Sequence, residues 1–243
     1  MEIRDLSFAS GEAPRHWHGQ GRAVSVFFDN LSIFFPAGER FFIASVKAHR
    51  QHVRDETLER LVREFTAQEA NHTREHLRYN HAIGAHGRPV EEMNARVERI
   101  LRRVARRAPL RWQLAVTCAL EHFTALLAKM ILGDPKNLEG AHPEMAALWR
   151  WHALEEWEHR AVAFDVYLAA GGHALERDFV MFMATLIFWG KVLEQQLRLM
   201  RADRILSSPR EWLSLMKFLF VKPGSLRKLI PPYLGYYRRE FHP

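Results

Sequence analysis

Two Glu-x-x-His pairs, Glu69-Ala-Asn-His72 and Glu156-Trp-Glu-His159, place a carboxylate and an imidazole three residues apart. On a helix such residues share a face, so both side chains can hold one metal ion. The spacing alone is weak, because a chain with 14 histidines supplies roughly one such pair by chance. A third pair, Glu139-Gly-Ala-His142, falls in a glycine-bearing loop ahead of Pro143 and reads as accidental. The other two lie inside apolar stripes: Phe65, Ala70 and Leu77 around the first, Leu148, Ala153, Ala163 and Val166 around the second. Charge on a core-facing stripe is costly unless it is paired or metal-bound.

Each pair also has a carboxylate on the helix before it. From Glu39 the chain climbs for about twelve residues to a turn near Gln51 and returns over about fourteen from Asp55 to Glu69, about 18 Å against about 21 Å. The second half repeats the construction, with Glu121 about twelve residues before Gly133 and Glu156 about thirteen after Pro143. Glu121 sits in the apolar run Leu114 to Leu127. Six residues are therefore expected at one level of a helical bundle: Glu39, Glu69, His72, Glu121, Glu156 and His159. One Glu from each of two helices and Glu-x-x-His from each of two others is the donor set of di-iron carboxylate bundles.

Over residues from about 30 to 170 the chain resembles the ferritin-like di-iron carboxylate superfamily. Its wording is more similar still to a bacterial family known as predicted metal-dependent hydrolases, in Phe35-Pro-Ala-Gly-Glu-Arg-Phe-Phe-Ile around Glu39 and in the closing Phe241-His-Pro243. The resemblance implies a metal-binding helical fold with those ligands, and a hydrolytic reaction by the family's own label.

The elements that must position the donors follow from apolar periodicity and Gly/Pro punctuation. Residues 1 to about 22 read as irregular. A first helix runs through Pro36 and Glu39 to about His49, and Asp55 caps a second that reaches about His81. An amphipathic basic helix spans about Val90 to Arg107, and Pro109 opens another that ends near Leu132. Pro143 opens a helix expected to continue to about Ala170, and an apolar one spans about Leu175 to Arg201. Pro209 starts a shorter helix to about Val221, followed by a tail from Pro223. No strand-like alternation is sustained. The expectation is an all-α protein, a ferritin-like four-helix bundle with additional C-terminal helices, forming a single domain over residues 1–243.

Some residues carry a bland reading beside a sharper one. His76 and His152 share the faces of the two motifs and stand as additional candidate ligands, or as hydrogen-bonded core histidines. Asp165 is a candidate to orient a ligand imidazole such as His72. Glu155 and Glu158 read as solvated or salt-bridged on other faces. Cys118, Ala125 and Phe65 are pocket wall or plain core.

The chain has 243 residues, a net charge of +7 and one cysteine, which excludes a disulfide framework and a cysteine zinc site. No nucleic-acid fingerprint accompanies the basic charge, so no nucleic-acid partner is expected. The longest uncharged apolar stretch, Phe179 to Gly190, is too short for a bilayer span of about 20 residues, and no secretory signal opens the chain. A soluble, cytoplasmic protein is the expectation. The apolar C-terminal helices either cover the bundle, form a homodimer interface, or line a lipid-like channel or membrane-surface contact.

Two metal ions are the expected cofactor, iron first, with manganese or a mixed iron–manganese pair as alternatives. The first functional reading is an O₂-activating oxidoreductase acting on a small apolar substrate. A two-metal-dependent hydrolase is the second, and iron storage or detoxification the third.

Overall fold

The computed structural model describes residues 1–243. It is all-α. Helix α1 spans Arg22–Ala48, α2 Glu56–Ala85, α3 Val90–Arg107 and α4 Leu110–Gly133. Then come α5 at Pro143–His159, α6 at Val162–Ala169, α7 at Ala174–Ala202, α8 at Pro209–Met216 and α9 at Ser225–Gly235. The site rests on two hairpins, α1 against α2 and α4 against α5 and α6, with α1 also packed on α4. Helix α3 lies mainly on α1, and α7 covers α4 and α1.

Local chemistry explains most boundaries. The Asp55 carboxylate accepts the Leu58 N–H at 2.8 Å and so caps α2. Pro109 stands just ahead of α4 and Pro143 occupies the first turn of α5, where a missing N–H costs nothing. Gly171, at φ +77°, closes the chain after α6 in a left-handed turn that a residue with a Cβ rarely adopts.

Three expectations need correction. The helix from Pro143 does not run unbroken to about Ala170; it is interrupted at Arg160–Ala161, directly after His159. No glycine or proline stands there. The short α6 instead buries Val162, Ala163, Phe164, Val166 and Tyr167, packing on α4 and α2. The segment after Pro223 is no irregular tail, because α9 forms through Pro231-Pro232 and packs on α4 with Leu229 buried. Leu77 is 44% exposed and Ala70 is exposed too, so the inward stripe of α2 is Phe65, Gln68, Glu69, His72, His76 and Tyr79.

One helix, Leu110–Gly133, has the length and apolarity to cross a membrane, but 83% of its apolar window is buried inside the protein. That is α4, which contributes Glu121 to the core.

Candidate metal centre

The structure brings Glu39 of α1, Glu69 and His72 of α2, Glu121 of α4, and Glu156 and His159 of α5 together, each at most 1% exposed. Donor atoms of Glu69, Glu121, Glu156 and His159 lie within 4.8 Å of one another, and so do those of Glu39, Glu69 and His72. A third group within the same limit joins His152 to His72 and Glu156, and a fourth joins Glu39, His76 and His152. Glu69 and Glu156 therefore lie between two clusters.

The atoms that face inward have no hydrogen-bond partner. They are Oε1 of Glu39, both carboxylate oxygens of Glu69, Glu121 and Glu156, Nδ1 of His72, and Nε2 of His152 and His159. Buried polar atoms are almost always paired, and buried charges survive when they are paired or bind a metal. So dense a set of open oxygen and nitrogen donors suits divalent metal ions.

The outward atoms are all held. Nε2–H of His72 donates to Glu155 Oε2 at 3.0 Å, and Nδ1–H of His159 donates to Gln68 Oε1 at 3.0 Å. The Gln68 amide nitrogen is spent on the Glu2 carbonyl and on Glu158, so its oxygen faces His159 as an acceptor. Thr73 donates to Glu39 Oε2 at 2.8 Å, which leaves only Oε1 free. Such outer contacts fix the tautomer and orientation of a ligand.

These supports cross between hairpins. Gln68 immediately precedes Glu69 yet holds His159; Glu155 immediately precedes Glu156 yet holds His72. The recurring pattern is thus a polar residue directly ahead of each Glu-x-x-His, a signal present in the sequence. Glu155, expected on a solvated or salt-bridged face, is fully buried against His72. Glu158 is salt-bridged, accepting from Arg4 at 2.8 Å. Asp165 does not orient a ligand histidine, because α6 turns it outward onto His242 at 2.8 Å. The opening residues, which carry no chemistry on their own, seal the outer face: Arg4 N–H donates to Glu155 Oε1 at 3.1 Å.

Electrostatics follow from that crowding. Burial, then Glu69, pushes the Glu39 carboxyl well above the usual range. Burial with Glu69 and Glu156 does the same to Glu121. Burial works against the imidazolium of His72, but Glu155 and Glu156 outweigh it and push His72 up to about 10. Burial likewise raises Glu156, but the charge of His159 beside it holds it well below the ordinary value. Glu39, Glu69 and Glu121 are thus pushed toward their protonated forms while Glu156 stays charged, and a cation among them would favour release of those protons.

One side of the centre is apolar. Between α1, α3, α4 and α7 lies a cavity of about 360 Å³, lined almost wholly by hydrocarbon. Gly38 and Phe42 beside Glu39, and Leu120 and Thr124 beside Glu121, form part of its wall. Phe35 lines it too and packs on the His152 and His76 rings, both at 4.6 Å between centroids.

No curated protein and no solved structure matches the chain. A family model described as "Predicted metal-dependent hydrolase" matches residues 2–243. Since the match covers nearly all of it, the chain belongs to the family of predicted metal-dependent hydrolases.

Proposed function

We propose that the buried cluster binds two metal ions and that the chain is a two-metal-dependent hydrolase of an apolar substrate. The observation that carries this reading is the set of unpartnered inward donors on Glu39, Glu69, His72, Glu121, Glu156 and His159, in a member of a metal-dependent hydrolase family. Glu39 and His72 would hold one ion and Glu121 and His159 the other, with Glu69 and Glu156 within reach of both. Metal ions held there would supply Lewis acidity for a carbonyl or phosphoryl group and lower the pKa of a water.

The chain's own residues supply placement. Glu155 and Gln68 keep one imidazole N–H of each histidine turned outward, so the inward nitrogens are the ones that would give lone pairs to a metal once their protons are released. The hydrocarbon wall of the cavity holds the apolar part of a substrate and excludes bulk water. The polar, hydrogen-bonded face formed by residues 2–4, Gln68 and Glu155 leaves the side of α1 and α4 as the approach.

A second reading is an O₂-activating di-iron oxidoreductase. It is favoured by the donor set itself, which is that of di-iron carboxylate bundles. The test is metal analysis of protein purified without added metal, followed by assays on short- and long-chain esters and, separately, anaerobic Fe(II) loading with exposure to O₂. Ester or phosphoester turnover with zinc or manganese and no O₂ uptake supports hydrolysis. Iron occupancy with rapid O₂ uptake and no turnover moves the assignment to oxidation.

A further inference from the structure

His152 lies outside the six-residue set, and its surroundings fix where its protons are. The argument begins at Pro36, in the middle of α1. Proline has no N–H, so the Ser32 carbonyl four residues earlier lacks its helical donor. Asn80 of α2 supplies one, its side-chain nitrogen donating to the Ser32 carbonyl at 3.1 Å. That contact fixes the amide, and Asn80 Oδ1 must then be the atom that accepts the Ser32 hydroxyl at 2.8 Å.

With its single proton given to Asn80, Ser32 Oγ can only accept from His76 Nδ1, 2.8 Å away. His76 is fully buried against Phe35 and Trp149, with no carboxylate in salt-bridge contact, so it is neutral and Nε2 carries its lone pair. His152 Nδ1 is 2.8 Å from that atom and must donate to it. The proton of His152 is therefore on the outward nitrogen. Its Nε2 lone pair faces Glu156 Oε1 at 3.1 Å, an acceptor against an acceptor, and makes no hydrogen bond. The inward nitrogens of His72 and His159 are likewise without a hydrogen-bond partner. The His152 ring also stacks on His72, at 4.3 Å between centroids.

We infer that His152 is a seventh metal ligand, on the His72 side of the centre, and that His76, Ser32 and Asn80 are positioning residues that lock its tautomer. His76 is not a ligand, since both its nitrogens are engaged. The centre is consequently unequal: two imidazoles serve the position beside Glu39 and one serves the position beside Glu121. The inference rests on the metal-centre reading.

Cobalt(II) titration of metal-free protein, followed by visible absorption and elemental analysis, tests it. The wild type is expected to take up two ions in distinguishable phases. His152→Ala should keep the phase assigned to His159 and weaken the other by at least about tenfold, with imidazole in the buffer restoring it. Ser32→Ala should weaken that same phase alone, by about tenfold. Wild-type affinity and spectrum in both phases of His152→Ala would overturn the assignment. If that variant does not fold by circular dichroism, ¹⁵N NMR of the zinc-loaded wild type decides: Nε2 of His152 must shift on loading, and an unmoved resonance overturns it. A wild type that binds no cobalt refutes the metal centre itself, which is a different result.

Discussion

The core holds two clusters of buried charge, and they are built on opposite rules. In the first, Arg88 bridges Asp29 at 2.6 Å and Asp203 through two nitrogens, while Trp17 and Tyr79 donate to Asp29. Arg15 and His16 complete the shell of Asp203. No side-chain atom of Asp29, Arg88 or Asp203 lacks a partner. In the second, the outward atoms of the histidines and of Glu39 are satisfied and the inward ones are open. The network that ties α1 to the loop after α7 closes on itself; the donor cluster stays open. Burial of charge is common to both, and the open valences separate them.

Substitutions at the two clusters should therefore part company. The largest effect is expected from Glu69→Ala or Glu156→Ala, which remove a carboxylate lying between both positions. Metal affinity should fall by more than about 100-fold, the upper end for loss of a mere outer contact, as read by titration. Arg88→Met should leave metal stoichiometry unchanged and cost about 3–5 kcal/mol of stability in denaturant unfolding, because Asp29 and Asp203 are left buried and unpaired. Loss of metal binding in a folded Arg88→Met protein would erase the distinction.

Glu155→Gln and Gln68→Leu should each lower affinity by about 10–100-fold. Their effects fall on opposite positions, because the supports cross between hairpins. Thr73→Val is the mildest change, about 1 kcal/mol in metal binding through loss of one hydrogen bond to Glu39.

The response to pH divides the groups by sign, with Asp29 of the first cluster also raised and Glu156 of the second lowered. Glu39, Glu121 and His72 have raised values in the folded protein. Their contribution to metal-free stability is complete below the ordinary values of 4.5 and 6.5, and is lost as pH rises through the folded ones. Asp203 is lowered: burial opposes this, but the hydrogen bonds of Arg88 and His16 prevail. Its contribution is present above 3.8 and is lost as pH falls. Thermal melts of metal-free protein should accordingly decline as pH rises from about 5 to 8, and metal affinity should climb over the same interval as ions displace protons. A metal affinity flat across that interval would contradict the protonated cluster.

The sequence makes the convergence of the six donors legible because it depends on helical arithmetic: residues three apart share a face, and rise and return in each hairpin nearly cancel. What surrounds the donors was harder to read. Glu155 looks like a surface residue by its i−1 spacing from Glu156, and only the crossing of α5 over α2 buries it on His72. The Ser32–His76–His152 chain depends on a carbonyl freed by Pro36, an effect that periodicity does not register. The interruption after His159 has no local breaker, and α9 forms in spite of two prolines, so tertiary packing decides both.

Metal content of the protein as purified, checked by anaerobic reloading after chelation, tests the central claim most directly. About two ions per chain are predicted, lost together in Glu69→Ala and retained in Arg88→Met. A folded wild type that holds no metal after loading would contradict the account, leaving the open donors of the second cluster without a partner.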